Sequence, residues 1–275
     1  MYSITANAGA TGVAYQLGQT SKSLQKSVQR LSSMLRINSS SDDPGGLAMS
    51  MKLGVAIRRT EAVMGSVNNT ASFLQAQDGI LGIADDILLR MEDLAAEAQD
   101  ASANTSDLAL YDEEFQDLKL QISDMLSETF NGQDLFYDSG GTTASSQTIT
   151  ATISLTGQTV GISQADIGSV INLLTSSNVT SSAVATDASE ALENAIDNLA
   201  ALRAANGSEQ NRIGFASDLL SVNKLNLEAA NSRIVDLDYA AEMLSYTKLG
   251  IIQDSNIALL AQANTRSEKI LKLLE

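Results

Sequence analysis

The chain has no cysteine, no histidine and no tryptophan, and Pro44 is its single proline. No thiol or imidazole is available as a nucleophile, a general base or a zinc ligand, and no carboxylate constellation stands in for them, so neither an enzyme nor a bound cofactor is expected. No disulfide can staple the fold, which must therefore hold by packing even outside a cell. No apolar run reaches membrane-spanning length, and membrane insertion is not expected. Residues 1–20 lack a basic start followed by an apolar stretch, so any export is expected without a cleaved signal peptide.

Positive charge is also scarce. The net charge is −16, distributed as +5 over residues 1–60, −20 over 61–200 and −1 over 201–275. An acidic middle of this size disfavours nucleic acid as a partner, because phosphate binding needs a basic surface. Its simplest use is a solvated acidic exterior.

Against these absences stands a strong helical pattern. Leu17, Ser21, Leu24, Val28, Leu31 and Leu35 alternate by four and three, giving one apolar seam on a helix too short to be stable alone. From Pro44 to about Ala101, Phe73, Ile80, Ile87, Leu94 and Ala101 fall at sevens, with Ile83, Met91 and Ala98 filling the second seam position. A third helix carries Leu108, Tyr111, Phe115, Leu118, Ile122 and Met125, and Asn131-Gly132 reads as its stop. Thr186–Ala205 resumes the helical pattern with Leu192, Ile196, Leu199 and Leu202. Asn206-Gly207 looks like another stop, after which Ile213, Leu220, Leu227 and Ile234 step by sevens. The last helix, from about Tyr239, has its seam at Leu249, Ile252, Leu259, Ala263, Ile270 and Leu273.

Ser139–Ser182 differs in kind: nineteen of its forty-four residues are Ser or Thr and Asp166 is its only charge. Ile149, Ile153 and Leu155 among threonines, then Gly157-Gln158 before Thr159-Val160, predict a β-hairpin turning at Gly157. Ile167–Leu174 reads as a short helix or a third strand. The fold class expected is mainly α, a long antiparallel helical bundle or coiled coil with a small β-hairpin region in the middle of the chain.

The first two helices meet at Leu31–Ser50. Asn38-Ser39-Ser40-Ser41 interrupts the first, and Asp43 before Pro44 reads as the N-cap and first position of the second. This stretch resembles the N-terminal signature of bacterial flagellin through Arg36, Ile37, Asn38, Asp42, Asp43, Gly46, Leu47 and Ala48. Met34 replaces that family's glycine, and Pro44 and Gly45 replace alanines. Asn231, Ser232, Arg233, Ile234, Asp236 and Asp238, followed by Tyr239, Ala240 and Glu242, resemble the C-terminal signature, which is expected to lie opposite Asn38–Asp43. Phe130-Asn131-Gly132 and Ala261-Gln262-Ala263-Asn264 add to the likeness, although Ser267 stands where most members have proline. So does the run from Leu202-Arg203 through Gly207 to Gln210-Asn211-Arg212-Ile213, which places the apparent stop Asn206-Gly207 inside a matching stretch. The resemblance covers about residues 17–138 and 186–275.

The resemblance implies a structural subunit that self-assembles into the flagellar filament used for swimming. The hook–filament junction protein is the alternative within the same superfamily. It implies terminal helices over 1–41 and 240–275 that form the filament's inner core, and a helical bundle over 42–239 with a Ser/Thr-rich hairpin tip at 139–182. The polymerisation residues would be Leu17, Leu24, Val28, Leu31, Leu35, Leu249, Ile252, Leu259, Ala263, Ile270 and Leu273. It further implies an extracellular location reached through the flagellar type III system. The partners would be other copies of the chain, an export chaperone, the filament cap and hook-junction proteins. Arg90, Leu94 and Glu114 match a patch through which an animal Toll-like receptor senses family members.

Overall fold

The computed structural model describes residues 8–139, 148–154 and 157–274. Its elements run α1 (Ala8–Ser33), α2 (Pro44–Ala98), α3 (Thr105–Asp124), a 3-10 turn (Met125–Ser127), β1 (Thr129–Phe130), β2 (Gln133–Asp134), β3 (Thr148–Thr152), β4 (Thr159–Ser163), α4 (Ile167–Leu174), α5 (Ser182–Val235) and α6 (Tyr239–Leu274). The chain forms two compact units, Met1–Ile57 with Leu225–Glu275, and Arg58–Lys224.

The second unit carries the large apolar core. Its α2 seam is Val67, Thr70, Leu74, Gln77, Leu81, Ala84, Leu88, Met91, Ala95 and Ala98, alternating by three and four, and all ten are buried. This seam is one position round from the expected row. Phe73, Ile87 and Leu94 are still buried beside it, but Ile83 is 51% exposed and Ala101 lies beyond the helix in an exposed turn. Apolar residues occur on nearly every face of α2 here, so period alone could not select the row that faces the core.

The α3 row is where the spacing puts it, with Phe115, Ile122 and Met125 buried and Leu108, Tyr111 and Leu118 packed against them. Asn104 caps this helix, its side chain accepting from the Ser106 and Asp107 amides. In α5, Ala185, Ala188, Leu192, Ala195, Leu199, Asn206, Ile213 and Leu220 are buried, whereas Ile196 and Leu202 are half-buried. The helix runs unbroken through Asn206-Gly207. Asn206 earns its place there by donating to Gln77 Oε1 (2.7 Å) and to the Leu74 carbonyl (3.2 Å), while Gln210 donates to Asn206 Oδ1 (2.7 Å) and Gln77 donates to the Leu135 carbonyl (2.7 Å). A connected polar network in an apolar seam penalises any shift in register, since slipping would strand buried polar groups. Beside it lies a cleft of about 180 Å³, smaller than the roughly 300–1,000 Å³ of ordinary ligand pockets.

Asn131 and Gly132 both have positive φ, 52° and 78°, and turn β1 into β2 as a tight hairpin. The pair read as a helix stop is thus a hairpin turn, and the helix has already ended at Asp124. The second hairpin forms where expected, β3 pairing antiparallel with β4 from Thr148↔Ser163 to Thr152↔Thr159. Gly157, at φ 82°, lies in its turn. Its alternating inner face sends Ala151 and Ile162 into the core beside Leu135 and Phe136. Ile167–Leu174 is a helix, capped by Asp166 accepting from the Ser169 amide. Gly168 packs so closely on Asp138 that a methyl group there would collide with its backbone.

In the first unit, α1 and α6 pack along each other and run antiparallel, as the Thr20–Asn256 and Arg30–Glu242 contacts show. No helix among the described residues is long and apolar enough to cross a membrane.

Candidate functional site

The two halves of the family-like signature meet between α1 and α2 on one side and α5 and α6 on the other. Leu35 and Asp236 form an antiparallel bridge. The Arg36 amide donates to the Val235 carbonyl (2.7 Å) and the Leu237 amide to the Met34 carbonyl (3.1 Å), while the Arg36 guanidinium donates to the Ile234 carbonyl (2.5 Å). The pairing therefore falls on Met34–Arg36, not on Asn38–Asp43 as the sequence suggested. The reason is that Asn38–Asp43 folds on itself: Asp42 Oδ2 accepts from the Asn38 and Ser39 amides and the Ser39 hydroxyl, and its Oδ1 meets Lys26 Nζ of α1 at 2.6 Å.

Several of the remaining signature residues have local tasks. Asp43 accepts from the Gly46 amide (2.9 Å) and caps α2. A methyl at Gly46 would lie 2.7 Å from Ile37 Cδ1, so the glycine lets Ile37, 4% exposed, close over the start of that helix. Ser232 donates to Asp236 (2.5 Å), and Asp238 accepts from the Ala241 amide (3.1 Å) to cap α6. Asn231 accepts from the Ser50 hydroxyl (2.7 Å), which ties α2 to α5 within this unit. Arg233 is exposed and Ile234 half-buried.

Met34 follows the last residue of α1 with φ 56°. A left-handed residue in that place is ordinarily glycine, because a side chain there crowds the backbone. Met34→Gly is expected to stabilise the α1–α6 unit by about 1 kcal/mol, read as a higher midpoint for helix melting by circular dichroism. A lower midpoint would contradict this view of the joint.

Lys26 donating to Asp42, helped by the Asn38 and Ser39 amides, holds the Asp42 carboxyl at about 2, below its ordinary 3.8. A depressed pKa means that this interaction stabilises fully above pH 3.8 and is lost as pH falls towards 2. Helix melting of the first unit should therefore weaken across that window, and Asp42→Asn should flatten its pH dependence there. An Asp42→Asn protein with the same acid profile as the parent would contradict the assignment.

The α1–α6 seam is partly polar. It comprises Val13, Leu17, Thr20, Leu24, Ser27 and Leu31 on α1, and Glu242, Tyr246, Leu249, Gln253, Asn256, Leu260 and Ala263 on α6, each buried or half-buried. Asn256 donates to Thr20 Oγ1 (3.4 Å), and Ser27 donates to Glu242, which also faces Arg30 at 3.8 Å. Leu17, Leu24, Leu31, Leu35, Leu249, Ile252 and Ala263 are thus at least half-buried. Val28 and Leu259, placed on the seam from hydrophobicity, are instead 46% and 51% exposed. Asn256 sits on the seam as the polar interruption its spacing predicts, whereas Thr20 and Ser27 escape an apolar template because it passes over hydroxyl groups that find partners across the seam. The side chains of Ile270 and Leu273 lie outside the described residues.

Arg90 and Glu114 do come together, as an exposed ion pair at 2.8 Å. Leu94 is fully buried in the core and so does not join them on the surface. Among the described residues no group of three or more metal-ligating side chains is placed to hold an ion.

What the geometry defines is a structural subunit: long helices paired through a hydrogen-bonded joint, with unburied apolar side chains along the paired terminal segments. Two family models match, the bacterial flagellin N-terminal helical region over residues 4–140 and the C-terminal helical region over 189–274. The chain is similar to flagellin FlaB2 of Treponema pallidum (strain Nichols), 32% identical with 94% of each chain covered. Its structure is similar to the crystal structure of Bacillus cereus flagellin, with a TM-score of 0.50 and 28% identity over 60% of this chain and 93% of that one. A protein described as a flagellar hook-associated protein from Vibrio parahaemolyticus shares the fold, with a TM-score of 0.61 and 17% identity, covering 71% of this chain and all of that one. The chain belongs to the bacterial flagellin family and is a structural subunit of the flagellar filament. Nothing favours the hook–filament junction alternative.

Proposed function

We propose that copies of this chain join through the α1–α6 unit, which lines the inner wall of the filament, while the acidic unit Arg58–Lys224 lies outside it. One contrast carries the reading. The α1–α6 unit has ten Lys and Arg against nine Asp and Glu, a net charge of +1, and leaves Tyr15, Val28, Ile251, Ile257 and Leu259 about half or more exposed. The other unit has the large buried core and also leaves apolar side chains such as Phe215 and Leu110 exposed, but it carries −17, so charge is what separates the two. Near-neutral surfaces with uncommitted apolar area pack densely, whereas crowding many acidic units together inside a wall would cost too much desolvation and repulsion.

In this reading the chain leaves the cell by the flagellar type III route and meets an export chaperone, the filament cap and the hook-junction proteins on the way. Of the residues matching the receptor-sensed patch, Arg90 and Glu114 are the ones open to such a receptor.

Salt tests the placement of charge. Raising ionic strength from about 0.01 to 0.15 M shortens the screening length from roughly 30 to 8 Å and weakens repulsion between neighbouring acidic units. The temperature at which assembled polymer dissociates should then rise. A steady fall over that range would mean that attraction between opposite charges, not apolar packing, holds the copies together.

A further inference from the structure

The cleft of about 180 Å³ beside the Gln77–Asn206 network lies where the end of β4 meets α5. Gln77, Gln164 and Asn206 line it, all more than nine-tenths buried. Each donates to a neighbouring carbonyl, Gln77 to Leu135, Gln164 to Asp134 and Asn206 to Leu74, so this wall is fixed before anything binds. Leu202 and Ala205 of α5 add apolar surface. Three half-buried groups at the same cleft remain uncommitted. Asp166 uses Oδ1 for the Ser139 and Ser169 amides, and Glu209 uses Oε1 for the Ser163 amide (3.5 Å). Among the described residues, Asp166 Oδ2, Glu209 Oε2 and the Tyr137 hydroxyl have no hydrogen-bond partner. Burial pushes the Glu209 carboxyl up, as expected of a cleft partly shielded from water.

These groups set the chemistry of an occupant. In proportion to the roughly 300–1,000 Å³ that hold drug-sized ligands, this volume admits about a dozen non-hydrogen atoms. Two carboxylates, offset in part by Arg212 near Glu209, reject an anion. What the free oxygens call for is hydrogen-bond donors. They come from three different places in the fold: Tyr137 follows β2, Asp166 opens α4 and Glu209 lies on α5. A compact cation concentrates its charge at one point, whereas a sugar ring carries hydroxyl donors round its edge and a C–H face suited to Leu202 and Ala205. We propose that this cleft binds a single neutral pyranose ring, whose hydroxyls donate to Asp166, Glu209 and Tyr137. The unit Arg58–Lys224 then acts as a weak sugar-binding module, with a Kd on the order of 1 mM for a ligand of this size. Repeated on every copy of a polymer, such sites hold a sugar-coated surface far more tightly than one copy does. That avidity, unlike the site itself, rests on the self-assembly reading above.

Saturation-transfer NMR on the purified full chain tests the site, with D-glucose, D-galactose, D-mannose and N-acetyl-D-glucosamine as probes. At least one of these sugars should bind saturably with a Kd of about 1 mM. Ala205→Leu, at an exposed position on the cleft wall, fills the space without entering the buried core, and should raise the Kd about tenfold or more. Tyr137→Phe keeps the ring, removes one hydrogen bond and should raise the Kd about threefold or more. Circular dichroism should show both variants melting like the parent. If Ala205→Leu does not fold, Tyr137→Phe decides. Parent protein that binds none of the probe sugars overturns the proposal, as does either folded variant that binds as tightly as the parent. Filaments should bind the same sugar as the monomer. A monomer that binds beside a filament that does not would uphold the site and contradict the outward placement of this unit instead.

Discussion

A chain lacking Leu259–Glu275 is expected to remain a soluble monomer that no longer polymerises, with Arg58–Lys224 still folded. The deletion leaves the first five turns of α6, including Asn256 with its bond to Thr20 and Glu242 with its bonds to Ser27 and Arg30. It removes Leu260 and Ala263 from the seam, so the start of α1 loses part of its cover. It also removes Leu259, whose side chain is 51% exposed in the single chain. Burying such a side chain is worth about 1.5–3 kcal/mol, and that gain is available only against another copy. Every subunit in a polymer makes the same contact, so the loss recurs at each step of growth. Seeded sedimentation reads assembly, while circular dichroism reads the monomer. Long polymer from the truncated chain, or collapse of the second unit's melting transition, would contradict this division between assembly and self-contained folding.

Leu94→Ala should destabilise the second unit by about 2–5 kcal/mol, lowering its melting midpoint by roughly 5–15 °C. Leu94 is fully buried among residues of the α2 core, and truncation leaves a cavity that close-packed neighbours fill only in part. Arg90→Ala should leave the midpoint almost unchanged, because its bond to Glu114 joins two half-exposed side chains in water. The pair of variants separates core from surface within one turn of helix. Equal melting shifts for the two would place Leu94 outside the core.

The sequence carried most of the element boundaries because capping chemistry is local. Asp43-Pro44 declares a helix start through a side chain that accepts from an amide three residues on. Asn104 and Asp238, which the sequence marks only as an interruption and a signature residue, cap α3 and α6 in the same way. The hairpin around Gly157 was legible for the same reason, since turn and alternation lie within a dozen residues. What local composition alone does not decide is long-range or depends on which of two local readings wins. Asn206-Gly207 has the composition of a stop, but Asn206 finds its partners on α2, 129 and 132 positions away. Asn131-Gly132 has φ values that serve a hairpin as well as a helix end. Val28 and Leu259 are more hydrophobic than Thr20 and Asn256, yet the latter occupy the seam because the pair satisfies itself across it. The residues of the joint are legible, but its pairing lies on Met34–Arg36, N-terminal to the expected Asn38–Asp43, because nothing local reveals that Asp42 turns its loop back onto Lys26.

The most direct test is a helical reconstruction of filaments grown from the purified chain at a resolution that traces side chains. The expected map has α1 and α6 paired antiparallel along the inner wall, Met34–Arg36 joined to Val235–Leu237 at its outer boundary, and the β3–β4 hairpin with its acidic helices beyond them. Terminal helices on the outer surface, or copies joined only through Arg58–Lys224, would contradict it.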